Sequence, residues 1–260
     1  MTSRDAILSK IRAGLGAKVS EAERRQIVND RLAARARHLI PARVKEKSPH
    51  QLLALFRGFL ERESATVLEV DSRQQIPSAI ANYLRSNNLP ARIRVGGDTM
   101  LTQLPWGSEP HLEMLLGRAQ PNDGVGLSRA AAAVAETGTL VMASGPDNPV
   151  TLNFLPETHI VVVEQANLVP AYEDAWDLIR ARFGPNGMPR TVNFISGPSR
   201  TADVGGKLVM GAHGPRRLCV IVVKEPASSW PAETLETAGS RANSGGHFRL
   251  EMQRLMQAAN

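Results

Sequence analysis

Thr158-His-Ile-Val-Val-Val163 and Leu218-Cys-Val-Ile-Val-Val223 are the runs on which the fold turns. Both are near-continuous stretches of aliphatic, largely β-branched residues. Neither shows the apolar–polar alternation of a strand with one wet face. They predict strands covered on both sides, the habit of a parallel sheet. Outward from them, Thr66-Val-Leu-Glu-Val70 and Ile93-Arg-Val95 read as shorter strands, the second ending in Gly96-Gly97-Asp98. Residues 75–85 between them read as a helix whose buried face carries Ile76, Ala79, Ile80, Tyr83 and Leu84. An earlier helix opens at Ser48-Pro-His-Gln, with a cap residue, proline at the first helical position and Leu52, Leu55, Phe56 and Phe59 at helical spacing. Helix, strand, helix, strand predicts an α/β domain with a mainly parallel sheet flanked by helices.

In the second half, residues 127–135 are small, apolar and helix-like, and Glu136-Thr-Gly-Thr139 leads from them into a strand over 139–142. A helix over 170–183, with Ala171, Ala175, Leu178, Ile179 and Phe183 inward, precedes a strand over 191–195 and another near 207–210. Two helices, 3–14 and 20 to about 39, come before any strand signal, the second opened by a capping-box pair, Ser20 and Glu23. The expected organisation is an N-terminal helical arm at 1–47, an α/β domain at 48–226, and a Ser/Pro/Gly/Ala-rich linker with a terminal helix at 227–260.

The 260 residues suffice for one generous α/β domain. The longest apolar run falls far short of the roughly 18–20 residues that cross a bilayer, and the first residues lack a secretory leader's apolar core, so a cytoplasmic location is expected. A single cysteine, Cys219, excludes an internal disulfide and any self-contained Cys-ligated cluster. Its strand setting reads as a small buried hydrophobe, with a reactive thiol as the alternative. The formal charge of +6 concentrates in residues 24–47. With no aromatic interleaved, that stretch lacks a stacking platform and argues against a nucleic-acid partner; anionic ligands or acidic proteins suit it equally.

Several motifs are absent. Gly124-Val-Gly126 lacks the third glycine of a dinucleotide fingerprint, Gly205-Gly-Lys207 does not complete a phosphate-binding loop, and there is no Gly-x-Ser-x-Gly elbow. The six histidines show no paired ligand spacing, so no metal site is expected. Ser199, Asp203 and His213 lack the framework a catalytic triad needs. What remains is three polar segments at strand ends, where loops converge over a rigid scaffold. Glu136 can act as nucleophile, general base, amide anchor or local cap, and Thr137, Gly138 and Thr139 accompany it, Gly138 admitting a ligand or a neighbouring backbone. Ser196, Gly197, Ser199, Arg200 and Thr201 combine hydroxyls, amides and a cation suited to a carboxylate or phosphate, and Asp203 either caps the next turn or orients a basic partner. His213, Gly214 and Arg216 offer an imidazole and a bidentate cation, or a β-turn fixed by Gly214-Pro215.

On Ala135-Glu-Thr-Gly-Thr-Leu-Val141, Leu155-Pro-Glu-Thr-His-Ile-Val161, Ile195-Ser-Gly-Pro-Ser-Arg-Thr-Ala-Asp203 and Gly211-Ala-His-Gly-Pro-Arg-Arg-Leu218, the chain resembles the lactate utilization protein C family of stand-alone LUD-domain proteins. The resemblance is strongest over about 90–224. It implies a NagB/RpiA/CoA-transferase-like fold, related also to 5-formyltetrahydrofolate cyclo-ligase. It further implies a part in oxidising L-lactate to pyruvate beside an iron–sulfur protein and a cysteine-rich protein, with iron–sulfur clusters only in those partners and no intrinsic cofactor here. By analogy of fold, Glu136 is the candidate for a CoA-transferase-type nucleophile. The implied alternative is a stand-alone acyl- or phosphoryl-transferring or folate-cyclising enzyme. Two departures, the extension over 228–260 and the basic stretch 21–47, point to a specialised partner.

Overall fold

The computed structural model describes residues 2–14, 20–37, 40–184, 187–204 and 207–224, with backbone alone for 202–204 and 207–208. In chain order the elements are α1 (Ser3–Gly14), α2 (Glu21–Ala34), α3 (Pro49–Arg62), β1 (Thr66–Val70), α4 (Ile76–Ser86), β2 (Arg92–Val95), α5 (Thr99–Thr102), β3 (Glu113–Leu116), β4 (Val125–Arg129), β5 (Ala132–Val134), β6 (Thr139–Ala143), α6 (Val150–Phe154), β7 (Thr158–Glu164), β8 (Leu168–Val169), α7 (Tyr172–Phe183), β9 (Val192–Ile195), β10 (Arg200–Val204), β11 (Lys207–Met210) and β12 (Arg217–Val223).

Six strands form one sheet in the order β1-β12-β7-β4-β2-β3. Every pairing in it is parallel. The two runs that announced the fold lie side by side at its centre, with Cys219 opposite Ile160 and Ile221 opposite Val162. All seven residues of β7 are buried. Alternate residues enter opposite cores, as the two-residue strand period requires. Val161, Val163, Val220 and Val222 pack with Phe56 and Leu60 of α3. Ile160, Val162, Cys219 and Ile221 pack with Ile76, Ile80 and Leu84 of α4.

A second sheet, β8-β5-β6-β9, lies against α7 through Ala132, Val134, Val141, Ala175 and Ile179. Its β5–β6 and β6–β9 pairs are antiparallel. Sequence pattern did not separate it from the parallel sheet, and the helix-like segment 127–135 is β4 followed by β5. The small residues Ala130, Ala132, Ala133 and Ala135 are buried to 2% exposure or less. They serve close packing between sheets and do not report helix propensity. A hairpin, β10–β11, completes the strands.

At the N-terminus, Ser20 accepts the Glu23 amide, but α2 ends at Ala34, where Arg35 turns left-handed at φ 44°. That is several residues short of the expected end near 39. Neither α1 nor α2 contains a buried residue. Arg37 just beyond them donates to Asp174 at 2.7 Å and also pairs with Asp177 of α7. The predicted linker and helix at 227–260 lie outside the described residues. Among the described residues no helix is long and apolar enough to cross a membrane.

Candidate functional site

The end of β9 and the turn before β12 meet at the amino-terminal edge of the parallel sheet. Between them lies a cavity of about 240 Å³, walled by Asn153 and Phe154 of α6, His159 of β7, residues 194–199, residues 213–215 and Leu218. The backbone joins the two loops. The Ser199 amide donates to the Pro215 carbonyl at 2.8 Å, and the Gly211 amide to the Ser199 carbonyl at 2.8 Å. The His213 amide reaches Ser199 Oγ at 3.3 Å. Ser196, Gly197, Ser199, His213 and Gly214, five of the residues picked from sequence, therefore share one cavity.

The Glu-Thr-Gly-Thr turn borders this site without lining it. Thr139 Oγ1 lies 2.6 Å from Ser196 Oγ, 2.7 Å from Thr137 Oγ1 and 3.0 Å from the Tyr172 hydroxyl. This chain of hydroxyls fixes Ser196 from behind. Glu136 is buried at 6% exposure, and its carboxylate accepts the Tyr172 amide at 3.4 Å, at the start of α7. There it satisfies a free helix N–H and meets the positive end of the helix dipole. The approach that Gly138 permits is to backbone: at φ +64°, a β-carbon there would stand 2.6 Å from Phe59 Cβ and 3.0 Å from the Leu60 nitrogen.

The two arginines face away from the cavity. Arg200 bonds Glu63 at 3.1 Å and Ser64 at 2.8 Å, beyond the end of α3. Arg216 lies half-exposed, 3.8 Å from Glu157. Thr201 pairs with Val209 in the hairpin. Asp203 lies in β10, and its side chain is outside the described residues.

Sequence reasoning missed the cavity's most unusual groups. Asn153 is 1% exposed, yet its Nδ2 and Oδ1 both lack a hydrogen-bond partner among the described residues. His159 is fully buried; one ring nitrogen, Nε2, is 2.5 Å from Ser128 Oγ, and the other, Nδ1, has no such partner. Burial pushes its imidazole down to about 3, so the ring is neutral at physiological pH. Each buried polar group without a partner costs about 1–3 kcal/mol, so a fold that keeps three such atoms at one cavity gives up stability there. The signal available in sequence was Thr158-His159 opening a strand that is aliphatic from Ile160 to Val163. Among the described residues no group of three or more His, Cys, Asp or Glu side chains is placed to hold a metal ion.

A family model described as the LUD domain matches residues 53–223. That span contains every wall of the cavity. Among curated proteins, the chain is similar to lactate utilization protein C of Bacillus subtilis (strain 168), 34% identical over 122 residues, or 46% of this chain and 50% of that one. It is as similar to lactate utilization protein C of Geobacillus thermodenitrificans, 34% identical over 121 residues with the same shares covered. A Neisseria meningitidis serogroup B protein described only as uncharacterized is 37% identical over 117 residues, 45% of this chain and 49% of that one. The chain thus spans about half the length of the curated relatives it matches. A crystal structure of a DUF162 family protein from Deinococcus radiodurans is similar at a TM-score of 0.54 and 26% identity, over 68% of this chain and 99% of that one.

Proposed function

The chain belongs to the LUD domain family, and from that premise we propose that it is a non-redox subunit of a lactate utilization system, one that oxidises L-lactate to pyruvate with an iron–sulfur protein and a cysteine-rich protein. The observation that carries the reading is the family match over 53–223, combined with similarity to proteins named lactate utilization protein C. Lactate oxidation releases two electrons and two protons. The chain's single cysteine is buried within β12, and burial pushes its thiol up to about 12, so it is not poised as a thiolate. In this reading the electrons pass to the iron–sulfur partner, and this chain contributes the cavity between the β9 loop and the β12 turn.

The alternative of a stand-alone acyl- or phosphoryl-transferring or folate-cyclising enzyme has weaker support. Its candidate nucleophile, Glu136, is held by the start of α7 and does not line the cavity.

Deletion of the gene tests the proposal, with growth followed on L-lactate and on a sugar, together with affinity capture of the tagged chain from lactate-grown cells. The expected result is a growth defect confined to lactate and recovery of both cysteine-bearing partners. Normal growth on lactate with neither partner recovered would overturn it.

A further inference from the structure

We infer that the free flank of β1 is a docking groove for the chain's own carboxyl-terminal stretch, and that residues 247–252 add to it as an antiparallel strand. β1 closes one side of the parallel sheet and pairs only with β12. All five of its residues line a groove of about 630 Å³, walled by Arg57 of α3 on one side and by Ala79, Asn82, Tyr83 and Ser86 of α4 on the other. The Lys224 amide donates to the Val70 carbonyl at 2.9 Å, so the Val70 backbone turns toward β12. The two-residue strand period then turns the N–H and C=O of Val67 and Glu69 to the groove. None of these four groups is bonded to another described residue. The strand carries no proline and its register no bulge, so nothing in β1 itself blunts the flank. Its recess between two helices admits a single extended segment and keeps the sheet of a second copy at a distance.

The chain supplies that segment. It leaves β12 at Lys224, beside the carboxyl end of β1, and residues 225–260 continue from there. A strand returning from that end runs antiparallel to β1, and the residues between 224 and 247 are ample to cross its width. His247-Phe-Arg-Leu-Glu-Met252 contains neither proline nor glycine, and its apolar residues alternate through Phe248, Leu250 and Met252 as well as falling at helical spacing. With Leu250 opposite Leu68, Phe248 meets Val70 and Met252 meets Thr66. Leu68 and Val70 belong to the core on the α4 side. Arg249 then stands opposite Glu69, on the α3 side where Glu69 already accepts from Arg57 at 2.7 Å, and Glu251 stands opposite Val67 on that same side. A slip of one residue would turn Arg249 and Glu251 onto the apolar α4 side, so side-chain chemistry fixes this register. In it Val67 and Glu69 exchange backbone hydrogen bonds with residues 251 and 249, which leaves Leu68 and Leu250 as the close, non-hydrogen-bonded pair, about 4.5 Å apart at Cα.

That spacing lies within the reach of a disulfide, which provides the test. In the full 260-residue chain, Leu68→Cys with Leu250→Cys is oxidised by glutathione disulfide and compared with Leu68→Cys with Arg249→Cys, whose second thiol falls on the opposite face. Cys219 is buried in β12 and does not compete. The expected result is a bridge within one chain, formed at least tenfold faster in the first pair than in the second. Amide exchange followed by NMR covers the case in which Leu68→Cys does not fold. The Val67 and Glu69 amides should exchange at least tenfold faster in Arg249→Pro with Glu251→Pro than in the parent, because the proline rings remove the N–H groups and fit a bonded strand poorly. Equal oxidation of the two cysteine pairs, a bridge formed only between chains, or exchange unchanged by the prolines would each overturn the inference.

Discussion

The two edges of the parallel sheet treat their buried polar groups differently. At the carboxyl edge the buried charges are paired. Arg129, the last residue of β4, donates to Asp98 at 2.8 Å, both side chains under 10% exposed. Glu164, the last residue of β7, accepts from Arg73 Nε at 3.0 Å. Asp98 also takes the Leu101 amide at 3.2 Å and so caps α5. At the amino edge the buried groups are neutral and only partly paired: Thr158, His159 and Asn153 all carry atoms with no partner among the described residues, though His159 Nε2 meets Ser128 Oγ. Charges that meet one another hold loops in place, whereas neutral groups left unmet and sealed from solvent cost stability where they lie.

The sharpest way to break this contrast is at the carboxyl edge. Arg129→Ala leaves the Asp98 carboxylate buried without its cation and should cost roughly 3–5 kcal/mol, read from urea denaturation midpoints. The amino edge should respond to acid. His159 is depressed in the folded state, so below its ordinary value near 6.5 the unfolded chain binds a proton that the native chain refuses. Stability is then full above about pH 6.5 and falls toward pH 3, at up to about 1.4 kcal/mol per pH unit. Comparing denaturation at pH 7 and pH 5 should show a shallower loss in His159→Gln than in the parent; equal slopes would mean the ring is not buried neutral. Asn153→Leu should move stability the other way from Arg129→Ala, by about 0–2 kcal/mol of gain in thermal melting. The smallest effect belongs to Glu136→Gln. The amide oxygen still accepts the Tyr172 N–H, so the change in melting should correspond to less than about 1 kcal/mol, with ligand binding at the cavity unaltered.

The parallel sheet was legible because its central strands are buried on both faces and their composition says so directly. The helices were legible where capping chemistry is local: Ser48 caps α3, Pro49 opens it, and Ser48 and Gln51 form a capping box. The short alanine-rich strands were not legible, because Ala132–Val134 has no pattern that distinguishes a packed strand from a helix turn. Nor does any local pattern say that β12 pairs with both β1 and β7. At the site, the turn residues Ser196, Ser199 and His213 were found because Gly and Pro mark loops. The directions of Arg200 and Arg216 were not, since a cation's partner is chosen in three dimensions. Asn153 and His159 were passed over because polar side chains inside apolar elements usually find a partner, and only the packed structure reveals that these do not.

The insertion of β12 between β1 and β7 also sets a timetable for synthesis. At ~5–20 residues per second, the ribosome takes roughly 8–30 s to travel the approximately 150 residues from the end of β1 to the end of β12. Throughout that interval the flank of β1 that β12 will cover has no partner from its own sheet, and the facing flank of β7 has none from the time residues 158–164 are made; β7 is aliphatic along most of its length. The nascent chain must keep that seam from pairing with a neighbouring chain until its own strand arrives, so chaperone dependence during translation should be greatest before residue 223 has left the exit tunnel.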